Sequence, residues 1–298
     1  MLRNFFILLC FVNLHIQAQE QKRIEVHGHR GFRGYFPENT ITAFKEAAKL
    51  GVDYIEFDVV ISKDSQVVVS HEPWFNSKIC SEPDGKPVTK NHQHNLHQLT
   101  YVEIKQFDCG KRGNEKFPNQ TKIAEYKPLL SEVIETIEKY TKENNLAPIH
   151  YNIEIKCSKM GDGKYHPAPD KMAALVYNVI KKYLPDGQAG NINDRILIQS
   201  FDTRSLQAIH KLNPDLKTGL LVANLKSVNH NIKRLGFSPD YYNPAFKITK
   251  QKTITQAHLK SCKVVVWTVD SEKDMKRLIS LGVDGIITDY PNVAIKLR

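Results

Sequence analysis

Long apolar runs are scarce in this chain of 298 residues. The clearest one, over 5–14, is about 10 residues and too short to cross a bilayer, so no stable membrane span is expected. Runs of like charge are missing too: none exceeds a Lys-Lys or Lys-Arg pair, which argues against a basic tail for nucleic acid. No Cys-x-x-Cys occurs, so a structural zinc site has no support. A glycine-rich dinucleotide fingerprint is also lacking, as is any sequence repeat beyond an alternation of strand-like and helix-like segments. What is present is an ordinary globular composition, 25% charged and 41% hydrophobic, with a formal charge of +10. That excess is compatible with an anionic substrate without identifying one.

Arg3, the apolar stretch and Ala18 together read as a signal peptide over 1–18, leaving 19–298 as the mature domain. A buried first strand is the alternative. The expected address is exported, either periplasmic or secreted. Cys10 would leave with the signal, and Cys80, Cys109, Cys157 and Cys262 would stay. Cys80 and Cys109 share one loop-like region and are the preferred disulfide pair, with four unpaired thiols as the alternative.

In the rest of the chain, β-branched apolar runs alternate with segments of helical period. Strands are predicted to start near residues 24, 54, 150, 195, 218, 241, 264 and 285, with a short extra one at 66–70. Thr40 to Leu50 reads as a helix capped by Asn39, and 129–145 as another with Leu130, Val133, Ile134 and Ile137 on one stripe. Eight strand–helix units predict an α/β fold, a closed (β/α)₈ TIM barrel, with an open doubly wound sheet as the alternative. The connection over about 72–128 is far longer than usual and reads as an insertion after the second strand, lying over the mouth of the barrel. Its His92, His94 and His97 read as members of a solvated polar loop rather than a second metal site, since no carboxylate or thiol joins them at ligand spacing.

In such a barrel chemistry sits at the carboxyl ends of the strands. The first strand ends in His29-Arg30-Gly31. Glu56 and Asp58 share one face of the second strand, Glu154 and Lys156 one face of the third, and Trp267 lies on the seventh. Three carboxylates facing a barrel interior repel one another unless a cation joins them, and a hard divalent ion prefers oxygen ligands. Glu56, Asp58 and Glu154 are therefore candidate metal ligands; an internal salt-bridge network with Arg30 and Lys156 is the alternative. His29 and His71 are candidates for proton transfer, and Arg30 and Lys156 carry the charge that a phosphate requires.

These residues belong to longer motifs: His29-Arg30-Gly31, Pro37-Glu38-Asn39-Thr40, Ile55-Glu56-x-Asp58-Val59, Val68-Val69-x-His71, Asn152-Ile153-Glu154-Ile155-Lys156, Trp267-Thr268-Val269 and Gly285-Ile286-Ile287-Thr288-Asp289-x-Pro291. In order and together they resemble the glycerophosphodiester phosphodiesterase family. The resemblance implies a TIM barrel that hydrolyses a small-molecule glycerophosphodiester to glycerol phosphate and an alcohol, using one divalent cation, Mg²⁺ or Ca²⁺. It implies acid–base roles for His29 and His71, metal binding by Glu56, Asp58 and Glu154, and phosphate binding by Arg30 and Lys156. Trp267 is a candidate for the glycerol pocket, with barrel packing as its alternative, and Glu38 either orients Arg30 or a substrate hydroxyl, or supports helix entry. The chain departs from the family pattern at Glu72, where Asp is usual, at Phe75-Asn76-Ser77-Lys78, where Leu-x-Arg-Thr is usual, and at Asp270, where Asn is frequent. Substrate preference is thus the least transferable inference. The rival readings are a related barrel acting on an intact phospholipid and a non-catalytic exported binding protein; a nuclease lacks the basic–aromatic track expected of strand binding.

Overall fold

Nine strands form one sheet in the computed structural model, which describes residues 23–91, 94–184 and 191–298. The predicted signal peptide and His92 lie outside the described residues. The strands are β1 (Glu25–His29), β2 (Tyr54–Ile61), β3 (Val67–Val69), β4 (His150–Ile155), β5 (Ile196–Ser200), β6 (Lys217–Val222), β7 (Tyr241–Pro244), β8 (Lys263–Val266) and β9 (Gly285–Thr288). All but β3 pair in parallel, and the β1–β2 pairing closes them into an eight-stranded barrel. β3 lies antiparallel against the end of β2, as a hairpin hung on the barrel.

The barrel follows from burial on both strand faces. Every residue of β2 is buried, the pattern of a parallel strand covered by helices outside and side chains inside. The main core lies between the strands and their helices. Phe44 of the helix Ile41–Leu50 packs on Phe57 of β2 with ring centroids 5.3 Å apart, and burying a side chain of that kind stabilises the fold by about 1.5–3 kcal/mol. The stripe of Leu130, Val133, Ile134 and Ile137 on the helix Leu130–Glu143 is likewise buried. A smaller apolar group, Tyr54, Leu197, Tyr241, Val265 and Ile287, fills the barrel itself.

One detail differs from expectation. The first helix is capped by Thr40, whose side chain accepts from the Ala43 amide, and not by Asn39. Asn39 is instead held in the left-handed region at φ 58° and donates its side-chain amide to Asp58. A residue with an ordinary capping preference has been drawn away by a buried carboxylate.

The insertion has a core of its own. Phe75 stacks on Phe107 at 3.8 Å, with Ile79, Val88, Leu96 and Ile104 around them, and Val60 of β2 and Val68 of β3 join the group. Cys80 and Cys109 form the expected disulfide, and Cys157 and Cys262 are free. Arg112 donates to the Ser77 and Cys80 carbonyls, tying the two bridged segments together. A packed, cross-linked unit of this kind presents fixed side chains to the barrel mouth.

Candidate active site

The chain turns sharply at the end of β1. Arg30 takes φ 51° and Gly31 φ 87°. A β-carbon at Gly31 would sit 2.8 Å from the Ala43 backbone, so only glycine fits there. The turn aims the Arg30 amide at Glu56, whose Oε2 it reaches at 3.0 Å. The parallel register then sets His29 beside Glu56 and Asp58 beside Glu154. Period two along β2 brings Glu56 and Asp58 to the same side, and one oxygen from each of Glu56, Asp58 and Glu154 lies within 4.8 Å of the others.

These acids are buried, with Glu56 2% and Asp58 1% exposed. Arg30 Nε lies 3.4 Å from Asp58, and Lys156 Nζ lies 2.7 Å from Glu154 and 3.6 Å from Asp58. Gln199 donates to Glu56 Oε1 at 2.9 Å, and is itself held by Asn243 at 2.9 Å. Burial, then the charges of Asp58 and Glu154, push the Glu56 carboxyl well above its ordinary range. Burial also raises Glu154, against Lys156. Asp58 goes the other way: burial would raise it, but the charges of His71, Lys156 and Arg30 outweigh that. Two cations therefore do not fully compensate three acids. An all-oxygen donor set with charge to spare fits a hard divalent ion.

Arg30 is braced from behind. Glu38 accepts from Arg30 NH1 at 2.6 Å and lies 2.8 Å from Arg33 Nε. Burial would raise the Glu38 carboxyl, but the two guanidinium groups hold it at about 2. Orienting Arg30 is thus the role that the geometry supports for Glu38. Arg33 escaped the sequence analysis, since no spacing rule ties a loop arginine to this cluster.

Each candidate histidine leans on a carboxylate through Nδ1. His29 meets Asp289 Oδ1 at 2.6 Å, and His71 meets Glu72 Oε1 at 3.0 Å. With Nδ1 committed, Nε2 is the nitrogen that each ring has for a substrate. Asp289 is fixed in turn by Asp270, which accepts from its amide at 2.9 Å. Burial lowers the His29 imidazole below its ordinary value, and the neighbouring Asp289 opposes that only in part. Behind His71, Lys127 Nζ donates to Ser70 Oγ at 2.8 Å, and Ser70 donates to the Glu72 carbonyl at 2.6 Å. Neither Asp289 nor Lys127 was assigned a role from sequence, although Asp289 stood in a quoted motif.

A cavity of about 420 Å³ opens over this group. It gathers His29, Arg30, Glu56, His71, Glu154, Lys156 and Trp267. Asp58 lies beneath, buried among its partners. Trp267 falls one residue past β8, its indole donating to the Asn243 carbonyl at 2.6 Å with the ring against Phe201. The insertion contributes Asn76, Lys78, Asn114 and Lys116 to the cavity wall. Among the described residues its histidines are engaged separately: His94 meets Glu82 at 2.9 Å and His97 meets the Ile61 carbonyl at 3.0 Å.

The model of the glycerophosphoryl diester phosphodiesterase family matches residues 29–293. A glycerophosphodiester phosphodiesterase of Caldanaerobacter subterraneus subsp. tengcongensis is 34% identical over 276 residues, covering 91% of this chain and 96% of the relative. One from Bacillus altitudinis is 31% identical over 278 residues, covering 92% and 98%. A crystal structure of a Silicibacter pomeroyi protein superposes with a TM-score of 0.80 at 27% identity, covering 92% of this chain and 94% of that one.

Proposed function

The chain belongs to the glycerophosphoryl diester phosphodiesterase family and hydrolyses a glycerophosphodiester, and from that premise we propose that the reaction uses one divalent ion, Mg²⁺ or Ca²⁺, held by Glu56, Asp58 and Glu154, with proton transfer by His29 and His71. The family depends on a divalent metal, and the three clustered carboxylates supply the observation that carries the reading. An ion bound there supplies Lewis-acid charge to the phosphate oxygens.

The chain's own residues do the rest. Arg30 and Lys156 face the cavity and neutralise charge building on the non-bridging oxygens. A hydroxyl, from water or from the substrate's glycerol, forms the new P–O bond while the P–O bond to the departing alcohol breaks. One imidazole takes the proton of the attacking hydroxyl, and the other gives a proton to the leaving alkoxide; where the glycerol hydroxyl attacks, the cyclic phosphate formed is then opened by water, with the two imidazoles exchanging roles, to give glycerol phosphate. His29 suits the base, because burial keeps it in the proton-accepting form near neutrality. His71 is then the acid. Trp267 and Phe201 offer an apolar wall for the carbon skeleton of the glycerol.

A panel of glycerophosphodiesters assayed after chelation, with Mg²⁺ and Ca²⁺ restored separately, tests the metal. Turnover should vanish with chelator and return with one ion; turnover indifferent to chelator rules the ion out. We also propose that 1–18 is a removed export signal. The Cys80–Cys109 bridge supports that reading, since such bonds persist in oxidising compartments. A mature protein whose first residue is not Gln19 rules out cleavage after Ala18.

A further inference from the structure

A second cavity, of about 430 Å³, lies beside the first. His71, Glu154, Lys156 and Phe201 line both, so a molecule held at the phosphate-binding residues can extend into it. Its remaining wall includes Trp74 from the insertion and Met160 and Tyr165 from the loop after β4. The Trp74 and Tyr165 rings meet edge to face at 5.4 Å. Asn95 donates to the Lys164 carbonyl at 2.7 Å, fastening the insertion to that loop. The wall is therefore built from two parts of the chain that are held together, and its size suits a small-molecule ligand.

The chemistry of the wall selects among ligands. A cationic alcohol would meet Lys156, and would meet Lys164, whose Nζ already sits 4.9 Å above the Tyr165 ring. Glu154, the carboxylate of this wall among the described residues, is engaged by Lys156 at 2.7 Å. The apolar part of the wall is Pro73, Trp74, Met160, Tyr165 and Phe201, beside the neutral polar groups of Cys157 and Ser158 and the rings of His71 and His166. Two residues of this wall are large, apolar and solvent-facing: Met160 is 92% exposed and Phe201 37%. They sit on the loops after β4 and β5, neighbouring strand ends at the mouth. Large apolar side chains exposed together mark a binding surface more often than scattered ones do.

Resting on the hydrolase reading above, we propose that this cavity receives a single hydrocarbon chain carried by the phosphodiester, so that the enzyme prefers chain-bearing glycerophosphodiesters over those with a small polar alcohol. The chain can come from either end of the substrate, as the alcohol that leaves or as an acyl group on the glycerol.

Two series of soluble substrates, kept below the concentration at which they form micelles, separate these sources. One is glycerophospho-ethanol, -butanol, -hexanol and -octanol. The other is lysophosphatidylcholine with acyl chains of four to eight carbons. Each methylene that enters the cavity should raise kcat/KM by up to about fourfold until the cavity is full. A rise in one series supports the proposal and identifies the end that carries the chain. The rise per methylene should flatten in Met160→Ser and in Met160→Ser combined with Tyr165→Ala; the first changes a side chain so exposed that folding is not at issue. Good turnover of glycerophosphoethanol with no dependence on length in either series overturns the second cavity and leaves the hydrolase standing. When the longest members are then taken past their micelle threshold, a rate that is flat below it and jumps only above it also overturns the proposal, in favour of a lipid surface. Failure to turn over any diester, by folded and metal-loaded protein, removes the hydrolase reading as well.

Discussion

Strand ends and insertion both line one mouth, by different means. On the barrel side, the positions of Glu56, Asp58 and Glu154 are set by ladder register, and each is buried and tied to a partner on another strand or loop. On the insertion side, Asn76, Lys78, Asn114 and Lys116 reach the cavity from a separate small core held by a disulfide. The first arrangement is stiff because moving any acid disturbs the sheet. The second can vary in sequence without disturbing the sheet at all. The three carboxylates thus lie where the backbone ladder fixes them, and the rim residues of the insertion lie where the chain can change without touching that ladder.

The sharpest test of that division sets one residue from each side against the other. Glu56→Gln keeps the side chain's size but removes one of the three charges proposed to hold the ion, and should lower kcat on the order of 1,000-fold with the fold intact by circular dichroism. Lys116→Ser, on the exposed rim, should change kcat/KM by less than about tenfold, because an exposed charge contributes on the order of 1 kcal/mol. Equal damage from both would break the comparison.

The two histidine–carboxylate pairs repeat the contrast on a smaller scale. The side chain of Asp289 is 5% exposed, and that of Glu72, at the start of the insertion, is 21% exposed. A hydrogen bond in the drier site orients its imidazole more firmly. Asp289→Asn should therefore cost about 10–100-fold in kcat, and Glu72→Gln less. The pH profile gives the sign. The base must be unprotonated, and burial holds His29 below its ordinary value, so the acid limb of kcat/KM should lie below about pH 6.5. The Asp289 charge raises His29, so its removal should move that limb to still lower pH while the plateau drops. A limb that moves upward contradicts the assignment of His29 as base.

How far the site could be read from the chain depended on the range of each contact. Glu56 with Asp58, and Glu154 with Lys156, were legible because period two is local. The eight strand starts were legible because β-branched runs recur between helical segments. The His29–Asp289 pair spans 260 residues, and no local pattern announces it, although Asp289 stood in a quoted motif. Asn39 was misread as a cap because its true partner, Asp58, is a tertiary neighbour. The insertion had no periodicity to read; its core is assembled from single apolar residues between turns, and only the Cys80–Cys109 pairing was anticipated.

The smallest expected effect on turnover comes from that disulfide, and it is the most informative about the insertion as a unit. Cys80 and Cys109 are 29 residues apart, and releasing a loop of that length should cost about 3–4 kcal/mol of the insertion's stability. Because the insertion packs around Phe75 and Phe107 and not around the main core, that loss should stay local. In Cys80→Ser with Cys109→Ser, amide exchange should quicken across 72–128 and remain unchanged in β2, β4 and β5. Turnover should fall by less than about tenfold, since what loosens is a set of rim contacts worth on the order of 1 kcal/mol each. Exchange that quickens equally in the barrel strands would mean that insertion and barrel fold as one, and the division between a ladder-fixed acid cluster and an independently packed rim would fail with it.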